Sequence, residues 1–249
     1  MRLGFAMIRV LRSAWIWLAS GSLILLWFPL LAAIRLFDRD PRRLRTARWL
    51  RRLARVLSRV GPWRIHVSGV ENLKPSQACV VVSNHQSLAD IPVIAHLKMD
   101  TKWLAKAELF RLPVVGWMLH AAGDVPVDRA DKRNGARAML QCAKYLRQGC
   151  TMVFFPEGTR SLDGAVLPFN EGPFQLAIRE NVKILPIVLE GSGSALPRNS
   201  WIFGGRQNIQ FRILEAVSVD GWDVKRTPEL RDIVRQIMVD ELSRLRAAA

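Results

Sequence analysis

The chain has 249 residues, which gives room for one α/β domain and a short additional segment. Its formal net charge of +16 favours phosphate-rich partners: nucleic acid, an anionic membrane surface or a phosphorylated substrate. The three cysteines and four histidines lack the spacings of metal sites, and there is no P-loop or dinucleotide-binding fingerprint. We therefore expect reduced thiols, no metal site and no nucleotide cofactor.

Residues 14–34 form an uncharged run of mainly Leu, Ile, Trp, Phe and Ala, which reaches the ~20 residues that cross a bilayer. Its three tryptophans suit the membrane interface. Gly21, Ser22 and Pro29 interrupt the run, so a bent, half-inserted helix is the alternative. A cleaved signal peptide fits poorly, because no clear small-residue cleavage site precedes the arginines that follow.

Residues 38–60 contain nine arginines, interleaved with Leu and Ala at steps of three and four residues. This pattern predicts a basic amphipathic helix of the kind that lies on anionic lipid. A nucleic-acid-binding arm is the alternative, but the neighbouring apolar run favours the membrane. The positive-inside rule places these arginines in the cytoplasm. We predict a membrane-anchoring region over residues 1–60 and an α/β domain over residues 61–249.

From Trp63 onward, short apolar runs alternate with helical stretches. Such alternation predicts a mixed, mostly parallel sheet flanked by helices. The predicted strands are 63–67, 79–82, 101–104, 124–127, 152–155, 184–189 and 209–214. The predicted helices are 88–97, 114–121, 132–148, 173–180 and 228–245.

A polar turn, Ser-Asn-His-Gln-Ser, follows the apolar run from Cys79 to Val82. His85 is therefore expected on a loop at the carboxyl end of a strand, where ligands bind in α/β sheets. Ser87 is expected to cap the next helix, with Asp90 in its first turn. A neutral imidazole can accept a proton, and a carboxylate can fix its tautomer. The alternative is a loop histidine that only satisfies backbone groups.

The chain contains no G-x-S-x-G nucleophile elbow, so we expect the attacking hydroxyl to belong to the substrate. This predicts acyl transfer to an alcohol without a covalent enzyme intermediate. Two later strands also end in polar turns, which carry Arg129 and Arg160. Guanidinium groups suit phosphate oxygens, and Gly158 would let the backbone approach a ligand closely. Taken singly, each arginine is better explained by surface ion pairing.

Taken together and in this order, the segments resemble the glycerophospholipid acyltransferase superfamily, especially its bacterial 1-acyl-glycerol-3-phosphate acyltransferases. The resemblance covers about residues 67–214. Asn-His-x-x-x-x-Asp at 84–90 matches the first family motif, and Phe-Pro-Glu-Gly-Thr-Arg at 155–160 matches the third almost letter for letter. Residues 123–129 match the second motif more loosely, and residues 185–188 match the fourth.

The resemblance implies transfer of a fatty acyl group from acyl-CoA or acyl carrier protein to 1-acyl-glycerol-3-phosphate, which forms phosphatidic acid. It implies His85 as the general base, Asp90 as its orienting group, and no cofactor, because a thioester is already activated. It also implies membrane lipids as partners, no nucleic acid, and a place at the bacterial inner membrane with the catalytic domain in the cytoplasm. The residues that it assigns to substrate binding are Asn84, Lys106, Arg129, Glu157, Gly158, Thr159 and Arg160.

Two places depart from the family pattern. Asn170 and Glu171 stand where basic residues are common, and the side chains at 125–127 are smaller than usual. Another acceptor, such as glycerol-3-phosphate or a lyso-aminolipid, therefore stays open. So do a non-catalytic membrane-surface or nucleic-acid-binding protein and a hydrolase that uses water.

Overall fold

One sheet organises the part of the chain that the computed structural model describes, which is residues 2–128 and 130–248, without the side chains of residues 2–5 and 132. Its strands are β1 (Trp63–Ser68), β2 (Val80–Ser83), β3 (Thr101–Lys106), β4 (Val125–Val127), β5 (Thr151–Phe154), β6 (Ile184–Glu190) and β7 (Gln207–Ile213). Their order across the sheet is β1-β7-β6-β2-β5-β3-β4. The strands from β6 to β4 are parallel, β7 is antiparallel to β6, and β1 is parallel to β7.

Helices flank this sheet, which confirms the predicted fold class. They are α1 (Arg2–Phe37), α2 (Leu44–Leu57), α3 (Asp90–Ile94), α4 (Val115–Ala122), α5 (Lys132–Arg147), α6 (Gly172–Glu180), α7 (Ser192–Ala195) and α8 (Thr227–Ala247). One apolar core includes Val80 and Val82 with residues of α5, α6 and α8, whereas Val81 belongs to the core that contains residues of α3. Because β2 is covered on both faces, its successive valines are all buried, as its unbroken apolar run requires.

The helix predicted for residues 88–97 is shorter, and Ser87 is not its N-cap. The N-cap of α3 is Ala89, and the helix ends at Ile94. Ser87 Oγ accepts the N–H of Ala89 at 3.0 Å, and its hydroxyl donates at 2.6 Å to the carbonyl of Leu196, which lies 109 positions later in the sequence. This tertiary contact holds residues 87–89 in a turn before α3 begins. The other predicted elements of the α/β region agree within two residues, and α7 was not predicted.

The N-terminal helix α1 continues through Pro29 without a break. Its segment Ala6–Phe37 is long and apolar enough to cross a membrane: an 18-residue stretch within it has a mean hydropathy of 1.9, and little of that stretch is buried. Arg12 donates to the Phe203 carbonyl at 3.3 Å, and the Ser13 hydroxyl accepts the Phe203 N–H at 2.9 Å. These bonds attach α1 to the loop that precedes β7.

The basic helix α2 covers the central part of the predicted segment 38–60. The Asp38 carboxylate accepts both the N–H and the hydroxyl of Thr46, at 2.8 and 2.6 Å, and so stabilises the first turn. Leu31 of α1, Leu53 of α2 and Met118 of α4 share an apolar cluster. The helices α1 and α2 thus pack on each other and on α4, while the division at residue 60 stays a prediction.

Candidate active site

The catalytic candidates lie on two loops that leave the same edge of the sheet. Strands β2 and β5 are adjacent and parallel, so the loops after Ser83 and Phe154 meet at their carboxyl ends. The His85 N–H donates to Glu157 Oε1 at 2.8 Å, and the His85 carbonyl accepts the Ser161 N–H at 2.7 Å. The first and third sequence motifs therefore form one site.

His85 and Asp90 form the pair that the sequence predicted. His85 Nδ1 lies 2.7 Å from Asp90 Oδ2, and the Asp90 side chain is fully buried while that of His85 is 15% exposed. The same Asp90 oxygen accepts the backbone N–H groups of Gln86 and Ser87, both at 2.8 Å. These three contacts favour the tautomer with Nδ1 protonated, which leaves Nε2 free to accept a proton.

The His85 ring also stacks on Phe155, with 4.0 Å between ring centroids and 21° between ring planes. Phe155 is the first residue after β5, so the third motif supplies one wall against the imidazole. No local pattern predicts this contact beyond the presence of Phe in the motif. The stacking and the Asp90 bond together restrict the orientation of the ring.

Glu157 bonds to the protein backbone rather than standing free beside the imidazole. Its Oε1 accepts the His85 N–H, and its Oε2 accepts the Leu167 N–H at 3.2 Å. Burial raises the pKa of Glu157 to about 7, although these two hydrogen bonds act in the opposite direction. In this arrangement Glu157 joins the two catalytic loops, and its predicted contact with substrate stays a prediction.

Asn84 has a similar arrangement. It is 1% exposed, its Nδ2 donates to the Leu189 carbonyl at 2.8 Å, and its Oδ1 accepts the Leu189 N–H at 2.8 Å. The amide thus anchors the histidine loop to β6, and its assignment to substrate binding is likewise untested. Gln86, which was predicted only as a turn residue, is buried and donates to the same Leu189 carbonyl at 3.2 Å.

The turn after Glu157 presents polar groups at the surface. Gly158 has a φ of 73°, a conformation that favours glycine, and Thr159 is exposed. The Arg160 carbonyl accepts a hydrogen bond of 2.6 Å from Arg198. Within the described residues, the Arg160 guanidinium forms no ion pair. The surface ion pair considered for Arg160 is therefore not found there.

Lys106 is the last residue of β3, at the same sheet edge as the two catalytic loops. Its Nζ lies 2.9 Å from Glu108 Oε1, and both side chains are 56% exposed. Strand β4 ends at Val127 beside Lys106, while Arg129, the remaining predicted phosphate ligand, lies outside the described residues.

A buried carboxylate that orients a partly exposed imidazole, at the carboxyl edge of a mostly parallel sheet, is the arrangement of a general-base site. Residues 64–190, or 127 of 249, match the family model described as Acyltransferase. The chain belongs to this acyltransferase family.

Three relatives show how far the similarity extends. The chloroplastic 1-acyl-sn-glycerol-3-phosphate acyltransferase BAT2 of Brassica napus is 39% identical over 139 residues, which is 55% of this chain and 40% of the relative. The alpha form from Mus musculus is 34% identical over 178 residues, 71% of this chain and 62% of the relative. This chain therefore spans about half the length of these relatives. The crystal structure of the 1-acyl-sn-glycerophosphate (LPA) acyltransferase PlsC from Thermotoga maritima matches with a TM-score of 0.84 and 26% identity, over 97% of this chain and 98% of that chain.

Proposed function

We propose that this protein transfers a fatty acyl group from acyl-CoA or acyl carrier protein to the free hydroxyl of 1-acyl-glycerol-3-phosphate and so forms phosphatidic acid for phospholipid synthesis. The observation that carries the proposal is the 2.7 Å contact between His85 Nδ1 and Asp90 Oδ2, on a loop bonded to the Glu157 turn. The names of the Brassica, mouse and Thermotoga relatives support the same acceptor.

In the proposed reaction, His85 Nε2 takes the hydroxyl proton while the hydroxyl oxygen attacks the carbonyl carbon of the thioester. The new carbon–oxygen bond forms, the carbon–sulfur bond breaks, and the imidazolium returns the proton to the leaving thiolate. The buried Asp90 carboxylate stabilises the imidazolium between these steps. Because a thioester is already activated, the proposal needs no metal or other cofactor.

We propose that the acceptor phosphate binds at the surface formed by the residues after Glu157 and the end of β3. Arg160 is suited to this role because it forms no ion pair among the described residues. Lys106 can contribute a second charge, since its exposed pair with Glu108 is weakly held. Gly158, Thr159 and Arg129 complete the proposed phosphate-binding set.

The departure at Asn170 and Glu171 is compatible with a phosphate-bearing acceptor. The Asn170 side chain donates to the Pro156 carbonyl at 2.7 Å, so it stabilises the motif turn. Glu171 pairs with Arg231 at 3.3 Å, which offsets its negative charge. Glycerol-3-phosphate and lyso-aminolipids remain the alternative acceptors that a direct assay must separate.

We further propose that α1 anchors the protein in the bacterial inner membrane, with the α/β region in the cytoplasm. The support is the apolar segment Ala6–Phe37 and the arginine-rich helix α2 that follows it. Such an anchor would hold the site near a lysolipid in the bilayer.

A transfer assay with the purified full chain in mild detergent tests the proposal. Lysophosphatidate, glycerol-3-phosphate and a lyso-aminolipid would be compared, each with acyl-CoA and with acylated carrier protein. We expect the highest kcat/KM with lysophosphatidate, and a rate near background for His85→Ala. Transfer to lysophosphatidate that is equal in wild type and His85→Ala would overturn the mechanism, and faster transfer to another acceptor would overturn the substrate. Release of free fatty acid without acceptor, at the rate of transfer, would indicate a hydrolase.

A further inference from the structure

A cavity of about 340 Å³ lies between α2 and the segment that joins α3 to β3. Its volume falls within the ~300–1,000 Å³ of small-molecule sites. Arg48, Arg51 and Arg55 line it from α2, where steps of three and four residues place them on one side of the helix. Lys98 lines it from the other segment. Four cationic side chains thus surround one cavity.

Carboxylates offset two of these four cations, Arg48 and Arg51. Asp100 is the acidic residue of the lining, and Arg48 binds it with hydrogen bonds of 2.6 and 2.7 Å. Among the ion pairs of the described residues, none involves Arg55 or Lys98. The cavity therefore carries two cationic groups that are available to an anion.

Arg51 is held inside the protein rather than free at the cavity. This residue is 9% exposed and pairs with Asp124, and its guanidinium carbon lies 4.6 Å from the ring centroid of Trp103. Its Nε has no hydrogen-bond partner among the described residues. Among the same residues, Asp124 Oδ2 is likewise buried without a partner, so Arg51 stays with this carboxylate, and Arg55 and Lys98 are the cations left for an anion.

The cavity is separate from the candidate active site. Thr101 lines it and begins β3, whereas Lys106 ends β3 at the edge that carries His85. The five steps from Thr101 to Lys106, at about 3.3 Å each, place the two edges roughly 17 Å apart. A ligand in the cavity is thus distinct from an acceptor beside His85.

We propose that this cavity binds the phosphate group of an anionic membrane lipid. Guanidinium and ammonium groups suit phosphate oxygens, and Leu97, Met99 and Pro75 offer apolar lining beside them. Helix α2 packs against α1, the helix that is apolar enough to cross a membrane, and this favours a lipid headgroup over free phosphate. Such a site would let the protein sense or retain anionic lipid independently of acyl transfer.

Protection of Lys98 from chemical acetylation tests the proposal, because Lys98 is exposed at the cavity. The full chain in mild detergent would be acetylated alone and with inorganic phosphate, short-chain phosphatidate or short-chain phosphatidylcholine, and each lysine quantified by mass spectrometry. At ten times its Kd, phosphatidate should slow the acetylation of Lys98 by about tenfold. Lys225, which is exposed elsewhere, is the internal reference, and Lys106 reports the proposed acceptor site.

Matched variants separate the possible results. Arg55→Gln should raise the phosphatidate concentration for half-protection of Lys98 by about tenfold, as expected for one lost charge-assisted hydrogen bond. Arg45→Gln, on the same helix but outside the cavity, should leave this half-protection concentration unchanged. Equal protection by inorganic phosphate would overturn the lipid assignment. Absence of protection, equal protection by phosphatidylcholine, or protection unaffected by Arg55→Gln would overturn the site. Because the acetylation of Lys106 is measured separately, a result against the cavity site can be distinguished from a result against the proposed acceptor site.

Discussion

The substitution Glu157→Gln should remove the pH dependence that the buried Glu157 carboxyl gives to the free energy of unfolding. Burial raises the pKa of Glu157 from 4.5 to about 7. The folded state therefore holds the proton more tightly than the unfolded chain does. The resulting stabilisation is complete below about pH 4.5 and is lost as the pH rises through about 7. At ~1.36 kcal/mol per pH unit, this change corresponds to about 3 kcal/mol.

The assay is denaturation of the full chain in mild detergent at several values from about pH 4.5 to about pH 8. Across this range, the free energy of unfolding of the wild type should fall by about 3 kcal/mol relative to Glu157→Gln, because the other titrating groups are common to both proteins. Glu108→Gln is the matched control. The pKa of this exposed carboxyl is lowered by its hydrogen bond with Lys106. The effect of Glu108→Gln on the pH dependence of the free energy of unfolding should therefore be small and of opposite sign. If the difference in the free energy of unfolding between wild type and Glu157→Gln stays constant across this pH range, the folded state does not raise the pKa of Glu157.

The remaining predictions concern catalysis. His85→Ala should lower kcat by about 10²–10⁴-fold with the fold intact. The control is His66→Ala, at an exposed histidine on β1, which should leave kcat unchanged. Equal kcat values for wild type and His85→Ala would contradict the role of His85 as general base. Asp90→Asn should lower kcat through the wrong imidazole tautomer, again by about 10²–10⁴-fold, and an unchanged pH–rate profile would point to another orienting group. Arg160→Ala should raise KM about tenfold for a phosphate-bearing acceptor and less for one without phosphate. Arg206→Ala, an exposed arginine elsewhere, is its control, and equal effects of Arg160→Ala on both acceptors would exclude phosphate binding there.

The strands and longer helices could be predicted from the sequence because their signals are local. A buried parallel strand needs an apolar run, and Val80, Val81 and Val82 supply it on both faces of the sheet. The start of the helix after His85 was predicted two residues too early, because the bond that holds Ser87 in a turn is made with Leu196, 109 positions away. No local pattern contains such a partner.

For the candidate site, the short spacing of His85 and Asp90 made their contact one of two interpretations, and a loop histidine that only satisfies backbone groups was the other. The structure shows the contact between the two side chains. The roles of other motif residues could not be predicted as well from the sequence. Glu157 and Asn84 were assigned to substrate, yet their side chains bond to the backbones of His85 and Leu189. Which polar group turns inward depends on which strands become neighbours.

The sequence by itself determined the strands, the longer helices and the apolar run near the N-terminus, because each depends on residues close together in the chain. Only the tertiary structure decided that β2 and β5 are neighbours, so that Glu157 meets the His85 backbone. It also decided that Arg51, one of five arginines on α2, is buried against Asp124. Burial and strand order come from the packing of distant segments, and that packing changes the pKa and the available hydrogen bonds of a side chain without changing the sequence around it.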